Sequence, residues 1–244
     1  MDKKLKNRIN FLTGYAVFTF FLFGYIALSS FRKTERAENI DELTVKRINV
    51  VGEDGSLRMV ISNETRQNSG RMAGKDLPQR KRPAGIIFFN NEGNECGGLV
   101  CEVHDTNKVI NSGMSFTMDN YDNDQVVQIV NSEKYANGHG NIRRGLVINE
   151  FPQGSSLLGF MDKYEAIKKM KDSILQKQKM DELWARKGSR RRLFIGRTSN
   201  NQSGLFLYDT AGKPRMEIYV DNTGSPQIKV IGADGKSRNI LSNK

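Results

Sequence analysis

The side chains in this sequence that could carry chemistry are few and scattered. Its two histidines are His104, within "EVHDTN", and His139, within "NGHGN". A zinc site gathers Cys, His and carboxylate ligands at spacings that return them to one point, and neither histidine has a partner at such a spacing. His104 and Asp105 have the chemistry of half an acid–base dyad, but neighbours on a strand point to opposite faces. "GHGNIRRG" has the glycines of a phosphate-binding loop without the strand–turn–helix frame that such a loop needs. The acidic run "DNYDND", from Asp119 to Asp124, could chelate calcium. It lacks the glycine and the closing glutamate of a calcium loop and reads as a polar hairpin turn. Cys96 and Cys101 stand five apart, so on a straight strand they face opposite ways, and a bridge would need a bend at Gly97 and Gly98. They read as two small, partly buried thiols. Asn63 and Asn201 head glycosylation sequons, which count only in a eukaryotic secretory route. The expectation is no catalytic residue, no cofactor, no metal and a chain that is not an enzyme.

The elements that would position any site begin with an apolar segment. Phe11 to Leu28 holds no charged residue, and as a helix it covers about 27 Å, close to the hydrocarbon thickness of a bilayer. Phe11, Val17, Phe20, Phe23 and Leu28 are its membrane-facing candidates. Tyr15 and Tyr25 stand near its ends, where amphipathic rings are favoured. Ala27-Leu28-Ser29 offers a signal-peptide cut site. The run is longer than a signal core, however, and the basic "FRKTER" after it is a poor start for a mature chain. The reading is a basic tail over 1–9, an uncleaved transmembrane helix over 10–31 and a juxtamembrane linker over 32–43. Lys3, Lys4, Lys6 and Arg8 outnumber Arg32, Lys33 and Arg36 by one. That margin places the N-terminus in the cytoplasm and the rest of a single-pass protein outside the cell membrane.

From Thr44 the sequence changes to short β-prone runs such as "TVKRINVV", "GIIFFN", "QVVQIV", "RLFIGR" and "GLFLYD", each ending in a Gly, Asn or Asp cluster. Such spacing predicts a mainly β fold of hairpin-linked strands: a sandwich, a barrel or a stacked repeat. Gly55, Gly93, Gly212, Gly224 and Gly235 are the predicted turn residues, because a hairpin turn needs a positive φ that glycine supplies without strain. The β-rich region spans 44–161 and resumes as a C-terminal repeat region over 189–244.

The repeated unit reads Asp or Asn, Gly, two residues, often Arg. It is carried by "DTAGKPRMEIYVDNTGSPQIKVIGADGKSR" and by "INVVGEDGSLRMVIS" with "RPAGIIFFNNEGNECGGLV". In these stretches the chain resembles membrane-anchored bacterial proteins with degenerate Asp-x-x-Gly-x-x-Arg β-repeats. The resemblance covers about half of the chain. It implies a β architecture and carries over no activity and no catalytic residue.

Two segments interrupt the strands. The polar stretch over 63–83 predicts a long surface loop ending in Arg80, Lys81 and Arg82. The stretch over 162–188 is rich in helix formers, with Asp162 as N-cap and Gly188 as stop, and predicts one inserted basic amphipathic helix. From Asp162 to Arg192 eleven Lys and Arg face five Asp and Glu, a surplus of +6 within a whole-chain charge of +11. Lys168, Lys169, Trp184, Arg190, Arg191 and Arg192, with Arg80 to Arg82, are therefore the candidate contacts for a protein partner, a lipid head group or another anionic surface. Nucleic acid is disfavoured, because the aromatics sit in apolar strand positions and not among the basic residues. The function expected is that of a membrane-anchored structural or interaction protein, an accessory subunit of a membrane-associated assembly. The alternative is an anchored enzyme or glycan-binding module acting on surface polysaccharide.

Overall fold

The computed structural model describes residues 2–30 and 39–241, and the chain divides into two units between Thr44 and Val45. Arg32, Lys33, Arg36 and most of the expected linker over 32–43 lie outside the described residues.

The first unit carries helix α1 (Lys3–Ser30), of which Lys3–Ser29 is long and apolar enough to cross a membrane or to serve as a signal sequence. Thr13 and Thr19 return their hydroxyls to the carbonyls of Ile9 and Tyr15, each at 2.9 Å, so neither leaves a polar group open on the apolar surface.

The second unit is mainly β. Its strands are β1 (Arg47–Val51), β2 (Leu57–Ser62), β3 (Arg71–Met72), β4 (Lys75–Asp76), β5 (Ala84–Phe89), β6 (Glu95–Thr106) and β7 (Val109–Asp119). They continue with β8 (Gln125–Ala136), β9 (His139–Glu150), β10 (Arg190–Arg197), β11 (Ser203–Tyr208), β12 (Pro214–Val220), β13 (Pro226–Ile231) and β14 (Ser237–Asn239). Apart from the small β3–β4 ribbon, these strands form one antiparallel sheet of twelve in chain order. Of the three forms expected, the described residues adopt neither sandwich nor barrel: the sheet is an open meander with β1 and β14 at its edges.

Seven five-residue turns, starting at Gly52, Asn90, Asn120, Thr198, Asp209, Asp221 and Gly232, share one pattern. The first N–H donates to the fifth carbonyl, and the fourth N–H donates back to the first carbonyl. Gly55, Gly93, Gly212, Gly224 and Gly235 fill the fourth position with φ between 75° and 86°. Side-chain carboxylates at the turns accept the inner N–H groups: Asp209 takes those of Ala211 and Lys213, and Asp221 those of Thr223 and Ser225. At the sheet end where β1 finishes, five strand pairs also carry a bulge. The residues left without a cross-strand partner there are Arg58, Cys96, Val126, Arg192 and Arg215. This explains two of the arginines that follow turn glycines, Arg58 and Arg215, whereas Arg238 keeps a cross-strand partner in Val230. Arg58 turns back to Asp54 at 3.2 Å. Arg215 turns back to Asp209 at 2.7 Å and donates to the Gly232 carbonyl of the next turn at 2.6 Å. Two tighter turns close the long hairpins at the opposite end, Asn107-Lys108 and Asn137-Gly138, all four residues at positive φ.

Close approach of backbones fixes a second set of glycines. Gly145 and Gly196 stand opposite each other on β9 and β10. A Cβ on Gly196 would lie 2.0 Å from the Arg144 carbonyl oxygen, and one on Gly145 would lie 2.2 Å from that of Ile195.

The helical insertion expected over 162–188 is present, but as two helices: α2 (Leu157–Lys168), capped by Ser156, and α3 (Ser173–Lys187), capped by Asp172. Asp162 lies inside α2 and is not its cap. The break falls at Lys169 to Asp172 because the Asp172 carboxylate captures the N–H groups of Ile174 and Leu175, starting a new helix there. Gln176 completes the corner by donating to the carbonyls of Ile167, Lys168 and Met170 where the chain leaves α2. α3 stops before Gly188, as expected.

Candidate interaction surface

Cross-strand pairing sorts the side chains of this single-layer sheet onto two faces. On the first, Val60 and Ile87 are paired neighbours and, with Phe89, form one buried cluster; Val147, Phe194 and Phe206 lie in the same transverse row and, with Tyr219, form another. Phe194, Phe206 and Tyr219 stack at 5.8 and 5.7 Å across β10, β11 and β12. Cations lie over this ladder: Arg143 is 4.9 Å from the Phe194 ring, Lys229 5.3 Å from Tyr219, and Arg191 5.8 Å from Tyr208. Arg and Lys stems thus bury the rings that a single-layer sheet would otherwise expose.

The second face is different. One row runs through Ile48, Ile61, Ile86, Leu99, Phe116 and Ile129. It continues through Leu146, Ile195, Leu205, Ile218 and Ile228, one residue on every strand from β1 to β13 outside the small ribbon. The adjacent row on the same face is Val50, Met59, Phe88, Gly97, Met118, Val127, Ile148, Leu193, Leu207, Met216 and Val230. Neither row contains a charged or hydrogen-bonding side chain. No apolar side chain in either row is buried, and Ile129 keeps 57% of its surface, Met118 47% and Ile195 46%. At strand spacings of about 4.8 Å the strip is roughly 50 Å long and 10–15 Å wide, at or above the largest apolar patch of a typical monomer.

The row beside the strip is mixed: Ala84, Cys101, Met114, Val220 and Pro226 are apolar, while Asn131, Arg144 and Arg197 at its middle are polar and matched within the chain. Arg144 pairs with Glu133 at 2.7 Å, and hydrogen bonds from Arg144, Tyr135 and Asn131 hold the Glu133 carboxyl down to about 2. Arg197 donates to the Ile142 carbonyl at 2.6 Å and to Asn201 at 3.0 Å.

The basic residues singled out from sequence are not brought together. Arg80 is exposed and donates to the Ser69 carbonyl at 3.3 Å, and Lys81 is exposed beside it. Arg82, expected as a contact residue, is instead engaged within the chain. Both ends of its guanidinium meet Glu95 at 2.7 Å, and the two side chains are 13% and 12% exposed. The segment over 63–83, expected as a surface loop, is a strap fastened to the sheet: Gln67 donates to Gly85, and Gly74 donates to Asn94. Lys168 and Lys169 close α2, where Lys168 reaches over the Tyr164 ring at 5.3 Å. Trp184 on α3 meets the edge of Phe160 at 4.8 Å and stays half exposed. Arg190, Arg191 and Arg192 belong to β10; Arg190 donates to Ala185, Arg191 covers Tyr208, and Arg192 pairs with Glu150.

The residues with acid–base chemistry are also apart. His104 is exposed and lies 2.9 Å from one carboxylate, Glu102, while Asp105 is on the opposite face. "DNYDND" forms one of the five-residue turns, over Asn120 to Asp124. Burial, reinforced by Glu95 and Asp124, pushes the Asp119 carboxyl up to about 7. Cys96 and Cys101 are both free on β6. Among the described residues, no cluster of three His, Cys, Asp or Glu side chains is placed to hold a metal ion.

Sequence reasoning missed the apolar face, although a signal for it was present. A strand with one wet face alternates apolar and polar residues, whereas Ile86-Ile87-Phe88-Phe89, Leu193-Phe194-Ile195 and Leu205-Phe206-Leu207 are apolar on both sides. No protein-family model, curated protein or solved structure matches the chain.

Proposed function

We propose that this chain is a single-span, membrane-anchored interaction protein, an accessory subunit of a membrane-associated assembly, with α1 as an uncleaved anchor and the sheet unit outside the cytoplasm. The observation that carries this reading is the pair of apolar rows along one whole face of the sheet. Exposed apolar surface on that scale is unfavourable in water, and the charged groups at its border, Arg144 and Arg197, already have partners within the chain. The helix of span length supports the anchor, since it holds no acidic or basic residue between Phe11 and Leu28.

The test is recovery of the intact, tagged chain from detergent-solubilised membranes, with mass spectrometry of its companions and of its own N-terminus. We expect the unprocessed N-terminus and a stoichiometric protein companion, either another protein or a second copy, that is lost from Ile129→Lys and Ile195→Lys variants. Recovery of the chain from the soluble fraction, or from membranes with no companion of any kind, would overturn the reading.

A further inference from the structure

We propose that the apolar face is the contact between two copies of this chain, packed face to face as a two-layer β-sandwich. This rests on the reading of that face as an interaction surface and names its occupant. Charge, shape and extent of the face select a second copy.

The first is charge. The chain carries +11, yet neither row holds a charge, and Arg144 at the border is already paired with Glu133. A partner recognised by charge would need unpaired groups to meet. Two copies of this strip join without desolvating a single ion, which removes the main cost of burying such a surface.

The second is shape. Adjacent strands rotate by about 20–25°, so a twelve-stranded sheet turns its face through roughly half a revolution or more. A flat bilayer surface can touch only the part of the strip that faces it. A second sheet with the same twist follows the strip along its length, at the usual spacing of about 10 Å and an angle near 30° between strand directions.

The third is extent. The strip measures on the order of 500–700 Å² in plan, close to the roughly 800 Å² that each partner contributes to a stable interface. The apolar runs that fit strands buried on both sides are then satisfied: the chain covers Ile87 and Phe194 by itself, and its copy covers Ile86 and Ile195.

Self-association of one patch requires a two-fold axis. Full overlap of the two strips puts that axis at the strip's centre, and β8 is the middle strand of the eleven that carry the row, so Ile129 lies against the partner copy's Ile129.

The experiment uses the full-length chain in membranes, with Cys96→Ser and Cys101→Ser removing the native thiols. Ile129→Cys, treated with a short bismaleimide, should give a covalent product with the mass and peptides of two identical chains. Ser132→Cys, exposed on the opposite face of β8, should give at least tenfold less. In membranes holding two differently tagged copies, Ile129→Lys should reduce co-recovery of the second tag at least tenfold, with the circular dichroism spectrum unchanged. A product linking Ile129→Cys to a different protein would overturn self-pairing while leaving the interaction reading intact. No protein product from that position would overturn both.

Discussion

Arg82 and Glu95 meet through two parallel hydrogen bonds of 2.7 Å, and both side chains are almost wholly withdrawn from water. Arg82 ends the strap over 63–83 and Glu95 begins β6, so the pair joins a long connection to the sheet it crosses. Removing one member leaves the other charge desolvated, which typically costs 3–5 kcal/mol; replacing both with apolar groups can be nearly neutral. We therefore expect Arg82→Met to lower the unfolding free energy by about 3 kcal/mol in urea titrations, and the Arg82→Met/Glu95→Met double variant to regain most of it. Equal losses in the single and double variants would show that the pair does not act as a unit.

Asp119, beside this pair, should make stability depend on pH in a defined window. Its carboxyl titrates near 7 in the folded chain against 3.8 ordinarily. Between those values the folded chain keeps a proton that the unfolded chain has lost, so the contribution of Asp119 is full below about pH 4 and falls as pH rises to 7. Asp119→Asn abolishes this titration. Its unfolding free energy relative to the parent should rise by about 1–3 kcal/mol from pH 4.5 to pH 7.5, then level off. A difference that stays constant across that range would contradict the raised titration.

The two classes of glycine should respond differently to a single methyl group. Gly55 sits in an open turn at φ +76°, with nothing near the position of a Cβ. Gly55→Ala therefore costs only the left-handed backbone term of about 1–2 kcal/mol. Gly196 has φ +147° and its Cβ would collide with a carbonyl of β9. Gly196→Ala must push β9 and β10 apart beneath the Phe194 ring, and a loss above about 3 kcal/mol is expected. Urea midpoints for the two variants, measured side by side, would refute the close approach if they coincided.

The β content, the turn glycines and the apolar helix were readable because each rests on a local rule. Asp234-Gly235 implies a turn wherever it stands, and eighteen uncharged residues from Phe11 to Leu28 imply a helix of span length. The break between α2 and α3 was hidden because "KKMKDSIL" contains no Gly or Pro. It comes from Asp172 capping a new helix where helix formers run on both sides. Arg82 was misread for a related reason: in "RKRP" three cations look alike, and only the approach of Glu95 from another strand separates one of them. The apolar face demanded more. Ile61 and Ile218 are 157 positions apart, and they share a row only because nine strands, from β2 to β12, keep register through a series of similar turns and bulges.

That register also tells where the helices can be cut out. β9 and β10 pair from Arg144 with Arg197 to Glu150 with Arg190, and Arg192 forms a bulge as Arg58, Cys96, Val126 and Arg215 do in four other pairs at the same sheet end. The segment 151–189 thus stands where a five-residue turn stands elsewhere. Hydrogen bonds joining it to its surroundings are few, chiefly Leu157 N–H to the Asp122 carbonyl at 3.0 Å and Arg190 to the Ala185 carbonyl at 2.8 Å. Leu183 is the buried apolar residue of the helical pair. Replacing 151–189 with an Asp-x-x-Gly-x turn should remove that pair's helical circular dichroism, retain the sheet signal and change the unfolding free energy by less than about 2 kcal/mol. A cut extending to Arg192 should unfold the sheet, because it removes the start of β10. The excised chain also separates two sources of association. If Ile174, 82% exposed, and Trp184 hold another protein, that companion is lost while the cross-link at position 129 persists, since the apolar rows remain in register without the helices.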